Sequence, residues 1–391
     1  MELTIESFRP GDEERRHALG RQAFGATNPF DPDAPMLDPA RVVCAYAGDL
    51  LVGTVITLDF AMTWGGRAVP CGGVSGVIVS PEARGRGAAR HMLAESFHRM
   101  VERGEVISAL YPTTASLYRS MGYEVVGWFV QRRIPLDAVD GVRAEALTWR
   151  QVELDDPALL ELHDAMSARH DGWFRADPGW WAYRTRRAAQ ETSVNRFAYV
   201  GRRGGTDAAA LQFRYTSSEV SLYDLDAELV AGADGDAVGA ALSFLAGHGT
   251  TVDSVQTALP AAFLAPHIPQ LQRTTVRSDW PWMLRLVDVP AAIQARGWPR
   301  GVQGRVELDV VDGVLPANAG PHVLEIDDGE ANLVRGGAGR VTVTAQDLAM
   351  LYSGCDVQAL RAAGRLVEAT GDDLDLLATA FVANPTIPFF F

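Results

Sequence analysis

The chain is poor in cysteine. Only Cys44, Cys71 and Cys355 occur in 391 residues, far apart and without a CxxC pair. No disulfide framework can organise such a chain, and the pattern suits a reducing, cytoplasmic setting. Long apolar runs are also missing: no stretch approaches the ~20 apolar residues of a membrane span. The first ten residues lack the basic-then-apolar order of a secretion signal. Basic residues are outnumbered, 35 against 49 acidic, for a formal charge of −14. That balance speaks against nucleic acid or an anionic membrane as partner, because phosphate contacts need clustered Lys and Arg. It leaves room for a cationic acceptor. The eight histidines form no metal pattern, since His91 and His98 share a helical face without a third ligand, so no metal is expected.

What is present is enough apolar material for a large core: 47% hydrophobic and 21% charged residues, ordinary for a globular protein. The length exceeds what one core usually serves, so two or three domains are expected. The first third alternates strand-like and helix-like segments. Strands are expected near 3–5, 41–47, 50–60, 74–79, 106–110 and 123–130, and helices at 11–24, 86–103 and 115–120. Along 86–103 the residues Ala89, Leu93, Phe97 and Met100 recur on one helical face. After the polar stretch 137–144 comes a second unit. It has an aromatic-rich segment at 173–183, strands near 196–200, 208–215 and 219–226, and a helix over 237–246. A third unit follows 280–289, where Pro290 opens a short helix. Its strands are expected near 304–310, 322–326, 331–334 and 339–343, and its helices near 345–351 and 372–381.

The segment Arg84-Gly85-Arg86-Gly87-Ala88-Ala89 lies where a buried strand turns, past Pro81, into an amphipathic helix. Glycines let the backbone turn tightly so that successive N–H groups converge on one anion, and the helix adds its own free amides and positive dipole end. A pyrophosphate suits such a loop, while a Gly-rich turn with solvated arginines would show the same letters. No Gly-Lys-Ser/Thr follows and no glycine opens a GxGxxG, so neither a Walker nor a Rossmann loop is written here.

With Gly76-Val77-Ile78-Val79-Ser80-Pro81 before it, the loop resembles the R/Q-x-x-G-x-G/A acetyl-CoA signature of the GNAT acetyltransferases, carried by Arg84, Gly87 and Ala89. The later family element appears as Thr113-Thr114-Ala115-Ser116-Leu117-Tyr118 and Met121-Gly122-Tyr123. The likeness extends to the Eis (enhanced intracellular survival) subgroup through 282–292, 295–297 and Leu351-Tyr352-Ser353-Gly354. It implies an α/β (α+β) architecture of two tandem GNAT-like domains with central mixed sheets and a C-terminal sterol-carrier-protein-like α+β domain. The expected boundaries are 1–140, 141–288 and 289–391, the second domain lacking the cofactor motif. A homohexamer is implied as well.

By that resemblance, acetyl-CoA would be held by Val77, Ile78, Val79, Arg84, Gly85, Arg86, Gly87, Ala88, Ala89 and Thr113. Tyr118 would be the acid for the departing thiolate, its phenol of reference pKa about 10 facing a thiol of about 8.5. Packing alone would account for the same tyrosine, and core-strand duty for Val77 to Val79. Phe389-Phe390-Phe391 would expose an apolar patch unless buried, and burial draws in a carboxylate whose raised pKa makes it a better base. The subgroup uses the C-terminal carboxylate as amine base, here that of Phe391; a tail anchoring the last domain is the alternative. Implied acceptors are bulky cationic amines of aminoglycoside, polyamine or lysine type. Gly25-Ala26-Thr27-Asn28 after Phe24, and Phe390 before the end, depart from the acidic pattern of antibiotic-modifying relatives, with Asp31 and Asp33 as candidate compensation. A hydrophobic-ligand carrier and a non-catalytic acetyl-CoA sensor are the competing functions.

Overall fold

The structure is a computed structural model that describes residues 3–25, 29–31, 38–139, 146–176, 178–179, 181–182, 184–185 and 195–391. The chain forms two compact units, Met1–Val126 with Pro281–Pro385 and Phe391, and Gly127–Trp280 with Thr386–Phe390.

The first unit opens with β1 (Thr4–Ser7), α1 (Glu13–Phe24), β2 (Val42–Ala47), β3 (Leu50–Trp64), β4 (Arg67–Val79), α2 (Ala88–Glu102), β5 (Ile107–Leu110) and α3 (Ala115–Arg119). The strands lie in chain order, antiparallel except for the parallel pair β4–β5. β3 and β4 are longer than the hydrophobic pattern suggests. Gly65 and Gly66, at φ 57° and 79°, form a two-residue turn that lets the strands run from Trp64 straight into Arg67. α2 buries Ala88, Met92, Leu93, Phe97 and Met100 against this sheet, so Ala88 and Met92 take the inner place expected of Ala89. Each large side chain so buried contributes about 1.5–3 kcal/mol.

The second unit holds most of β6 (Glu124–Pro135), then β7 (Thr148–Val152), α4 (Pro157–Ser167), β8 (Phe174–Ala176), β9 (Arg196–Arg203), β10 (Thr206–Ser217) and β11 (Tyr223–Gly232). α5 (Gly235–Ala246), β12 (Val252–Thr257), α6 (Ala261–Leu264) and the start of β13 (Thr275–Leu286) follow. Its sheet runs β6-β12-β11-β10-β9-β7, with β11 and β12 parallel and the other pairs antiparallel. β11 starts later than the expected residue 219, because Ser218 Oγ accepts from the amides of Val220 and Ser221 and closes a turn there. Of the aromatic-rich segment, Trp173, Phe174 and Trp181 are buried; Trp180 and Tyr183 lie outside the described residues.

The end of β13 returns to the first unit, pairing Met283–Leu286 antiparallel with β5. α7 (Val289–Ala295) is capped by Asp288, which accepts from the Ala291 amide, and Pro290 sits in its first turn. β14 (Gln303–Val311), β15 (Gly320–Asp327), β16 (Glu330–Arg335) and β17 (Val341–Thr344) form a sheet ordered β16-β15-β14-β17. Helices α8 (Ala345–Tyr352), α9 (Val357–Ala362) and α10 (Gly371–Ala380) complete the layer, α8 and α10 each opened by a Thr/Asp capping box. Among the described residues no helix is long and apolar enough to cross a membrane.

Candidate functional site

β4 is the strand on which the site is built. Its ladder with β3 slips between Thr54↔Ile78 and Ile56↔Ser75, so Gly76 and Val77 together face one residue of β3. Gly76 takes φ 55°, and a Cβ there would press on the Ile56 side chain; Thr54 Oγ1 donates to its carbonyl at 3.0 Å. The bulge is therefore fastened by Thr54 and reserved for glycine. On the other edge, β4 pairs with β5 only from Cys71↔Ile107 to Gly73↔Ala109. From Val74 to Val79 that edge has left the ladder while β5 ends at Leu110, so the parallel pairing forks here. Ile78 is buried, while Val77 and Val79 are partly buried against the core.

The glycine loop closes one tine of this fork. Gly85 and Gly87 adopt φ 74° and 78°, and residues 84–87 are exposed. Among the described residues, the amides of Gly85, Gly87, Ala88 and Ala89 find no backbone carbonyl as acceptor. Gly87 caps α2 without a side-chain hydrogen bond, and the first turn carries no acid. Space above Gly85 is open. Arg84 leans back to donate from Nε to the Val79 carbonyl at 3.3 Å, and Arg86 and Arg90 stand exposed nearby in sequence. Free amides, a helix N-terminus and arginines in open space fit the diphosphate of a coenzyme A molecule.

Beyond the other tine, past the end of β5, lie Thr113, which is exposed, and α3, which carries Tyr118. Tyr118 is buried in the same core cluster as Val74, Ala83 and Ala88. Its ring meets that of Tyr123 edge-on at 6.0 Å, and burial pushes its phenol up to about 12. Tyr123 is a packing residue: fully buried, its hydroxyl lies 2.7 Å from Ser108 Oγ, which donates to the Gly72 carbonyl.

Phe391 reaches the base of the fork. Its ring lies 5.0 Å from Phe60 and 5.2 Å from Tyr111 between centroids, and a Cβ on Gly73 would come within 3.2 Å of it. Phe60, Gly73 and Tyr111 were not singled out from sequence, although glycine in a strand interior is a signal of close approach. Burial holds the Tyr111 phenol well above its usual range. In the second unit Phe389 is buried among His163, Phe174 and Trp181, and Phe390 is half exposed beside Phe129 and Trp280. Of the acceptor-side residues, 26–28 and 33 lie outside the described residues.

Residues 4–126 match the acetyltransferase (GNAT) domain, and residues 289–390 the sterol carrier protein domain. An uncharacterized N-acetyltransferase of Streptomyces griseus is 28% identical over 367 residues, covering 85% of this chain and 84% of that relative. N-acetyltransferase Eis of Mycobacterium tuberculosis is 28% identical over 356 residues, covering 87% and 85%. The crystal structure of a GCN5-related N-acetyltransferase from Anabaena variabilis superposes over the whole of both chains with a TM-score of 0.88 at 25% identity. With a GNAT domain first, a sterol carrier domain last and Eis among the relatives that span most of its length, this chain is an N-acetyltransferase that carries a GNAT domain and is similar to Eis.

Proposed function

We propose that the chain moves the acetyl group of acetyl-CoA directly onto a primary amine of a bulky cationic acceptor, of aminoglycoside, polyamine or lysine type. The supporting observation is the β4–β5 fork, with the amides of Gly85, Gly87, Ala88 and Ala89 after β4, Tyr118 after β5, and Phe391 against Gly73 where the pairing ends. The reading divides the chain at 1–140, 141–288 and 289–391 and takes it to act in the cytoplasm as a homohexamer.

Acetyl-CoA supplies an acetyl group on a thioester whose thiolate is a good leaving group. Gly85 to Ala89, with Arg84 and Arg86, bind the diphosphate through amides and charge. Val77, Ile78 and Val79 offer the unpaired edge of β4 to the arm, and their apolar side chains keep water from it. Thr113 borders the other tine. Tyr118 is protonated at neutral pH and gives its proton to the leaving sulfur. The burial that weakens the phenol also raises the basicity of a thiolate in the same slot, so donor and acceptor shift together. The carboxylate of Phe391 accepts the proton that the amine nitrogen sheds. No enzyme nucleophile is required.

Phe390 in place of an acidic residue favours fewer charges on the acceptor. The test is thiol release against aminoglycosides, polyamines, lysine peptides and arylalkylamines, paired with calorimetric titration of acetyl-CoA. Turnover with at least one cationic amine is expected. Tight cofactor binding without turnover on any amine would replace the enzyme with a sensor, and no cofactor binding at millimolar concentration would end the proposal.

A further inference from the structure

Arg285, on β13, is wholly buried together with Asp312, and both of its terminal nitrogens are in use. Nη2 donates to both carboxylate oxygens of Asp312 at 2.9 and 2.8 Å, and Nη1 donates to the Met121 carbonyl. The guanidinium lies over the Phe97 ring at 4.8 Å. Asp312 is itself fastened by the amides of Val314 and Leu315 and by Asn318. Burial alone would raise its carboxyl; Arg285 and these donors hold it below the usual range.

The carbonyl that Arg285 grips belongs to the turn directly after Tyr118. Within that turn, the amides of Met121 and Tyr123 both donate to the Tyr118 carbonyl, at 2.9 and 3.1 Å. Gly122 sits at φ 85° with Arg285 so close that a Cβ would lie 1.4 Å from Nη1. Gln346 on α8 donates to the Arg119 carbonyl at 2.7 Å, so the C-terminal domain also braces the next residue. An apolar pair could fill the same volume at no cost in stability, whereas only a multidentate cation can tie an aspartate of one domain to a backbone carbonyl of another.

We propose that Arg285 and Asp312 are positioning residues for the acid step: through the Met121 carbonyl they set where the Tyr118 hydroxyl points. The C-terminal domain is by this account part of the catalytic apparatus, supplying the anchor that fixes the proton donor. The inference rests on the reading of Tyr118 as the acid.

The experiment measures kcat, acetyl-CoA dissociation constant and solvent deuterium isotope effect for Arg285→Met, Arg285→Lys, Asp312→Asn and the charge-free pair Arg285→Met with Asp312→Leu. The charge-free pair carries the test where single substitutions do not fold. Expected is a loss in kcat of ten-fold or more with cofactor affinity within two-fold, a larger isotope effect, and partial rescue in Arg285→Lys. In a Tyr118→Phe background the same changes should cost little further. Wild-type kcat in the folded charge-free pair would overturn the inference, as would parallel loss of cofactor affinity or failure of that pair to fold. Full activity in Tyr118→Phe would instead remove the acid reading itself, so the two failures are distinguishable.

Discussion

In the first unit β4 runs parallel to β5 with α2 between them; in the second, β11 runs parallel to β12 with α5 between them. Both leading strands outrun their ladder, β4 beyond Gly73↔Ala109 and β11 beyond Ala227↔Thr257. The backbone plan thus repeats, but the helix N-termini differ. α2 begins at Gly87, with no side chain on its amides. α5 begins at Asp234, whose carboxylate accepts from the Ala237 amide at 2.9 Å and pairs with Arg203 at 2.7 Å. Arg203 first, then the helix amides, bring that carboxyl down to about 2. A negative charge already occupies the place where a phosphate would sit. Two similar backbone plans therefore present different helix N-termini, one bare and one closed by a carboxylate, in keeping with function residing in the site rather than in the fold.

That comparison can be broken most sharply by copying one junction into the other. Gly87→Asp should weaken acetyl-CoA binding by about 100-fold or more, because it fills the cradle with a like charge and strains a residue at φ 78° by about 1–2 kcal/mol. Calorimetry and thermal denaturation together check it; an unchanged dissociation constant would detach the loop from the cofactor. Next in size, Tyr118→Phe should lower kcat by about 100-fold while cofactor affinity stays within two-fold. Moving the carboxylate by adding two glycines after Phe391 should lower kcat about ten-fold, and equal activity would dismiss the terminal base.

The smallest effect belongs to the second junction. Asp234→Ala should cost about 1 kcal/mol of stability at neutral pH through loss of the cap. The folded carboxyl lies below its unfolded value, so its contribution is full above about pH 4 and disappears as pH falls toward 2. Denaturation curves of the two proteins should converge over that window. Cofactor stoichiometry should remain one per chain.

Much of the first junction was legible in the sequence, because a β-branched run, a proline, two spaced glycines and a periodic helix are all local signals. The short helix that carries Tyr118 was legible too, lying between a polar segment and a Gly-aromatic turn. Less could be read where pairing partners matter. The β3–β4 hairpin extends past its hydrophobic run because two glycines supply the turn, and the bulge at Gly76 exists only in register with Thr54 and Ile56. α4 and α9 escaped notice, although each is started by an aspartate side chain accepting the amide two residues on.

Taken alone, the sequence determined which segments become strands and helices, where glycine frees the backbone and which helix ends stay bare, since these depend on residues a few places apart. Only the tertiary structure decided how far β4 and β5 stay together, that Arg285 meets both Asp312 and Met121, and that the Phe391 ring lies over Gly73. Those outcomes rest on which distant surfaces exclude water together, and the burial that drives them carries no direction along the chain.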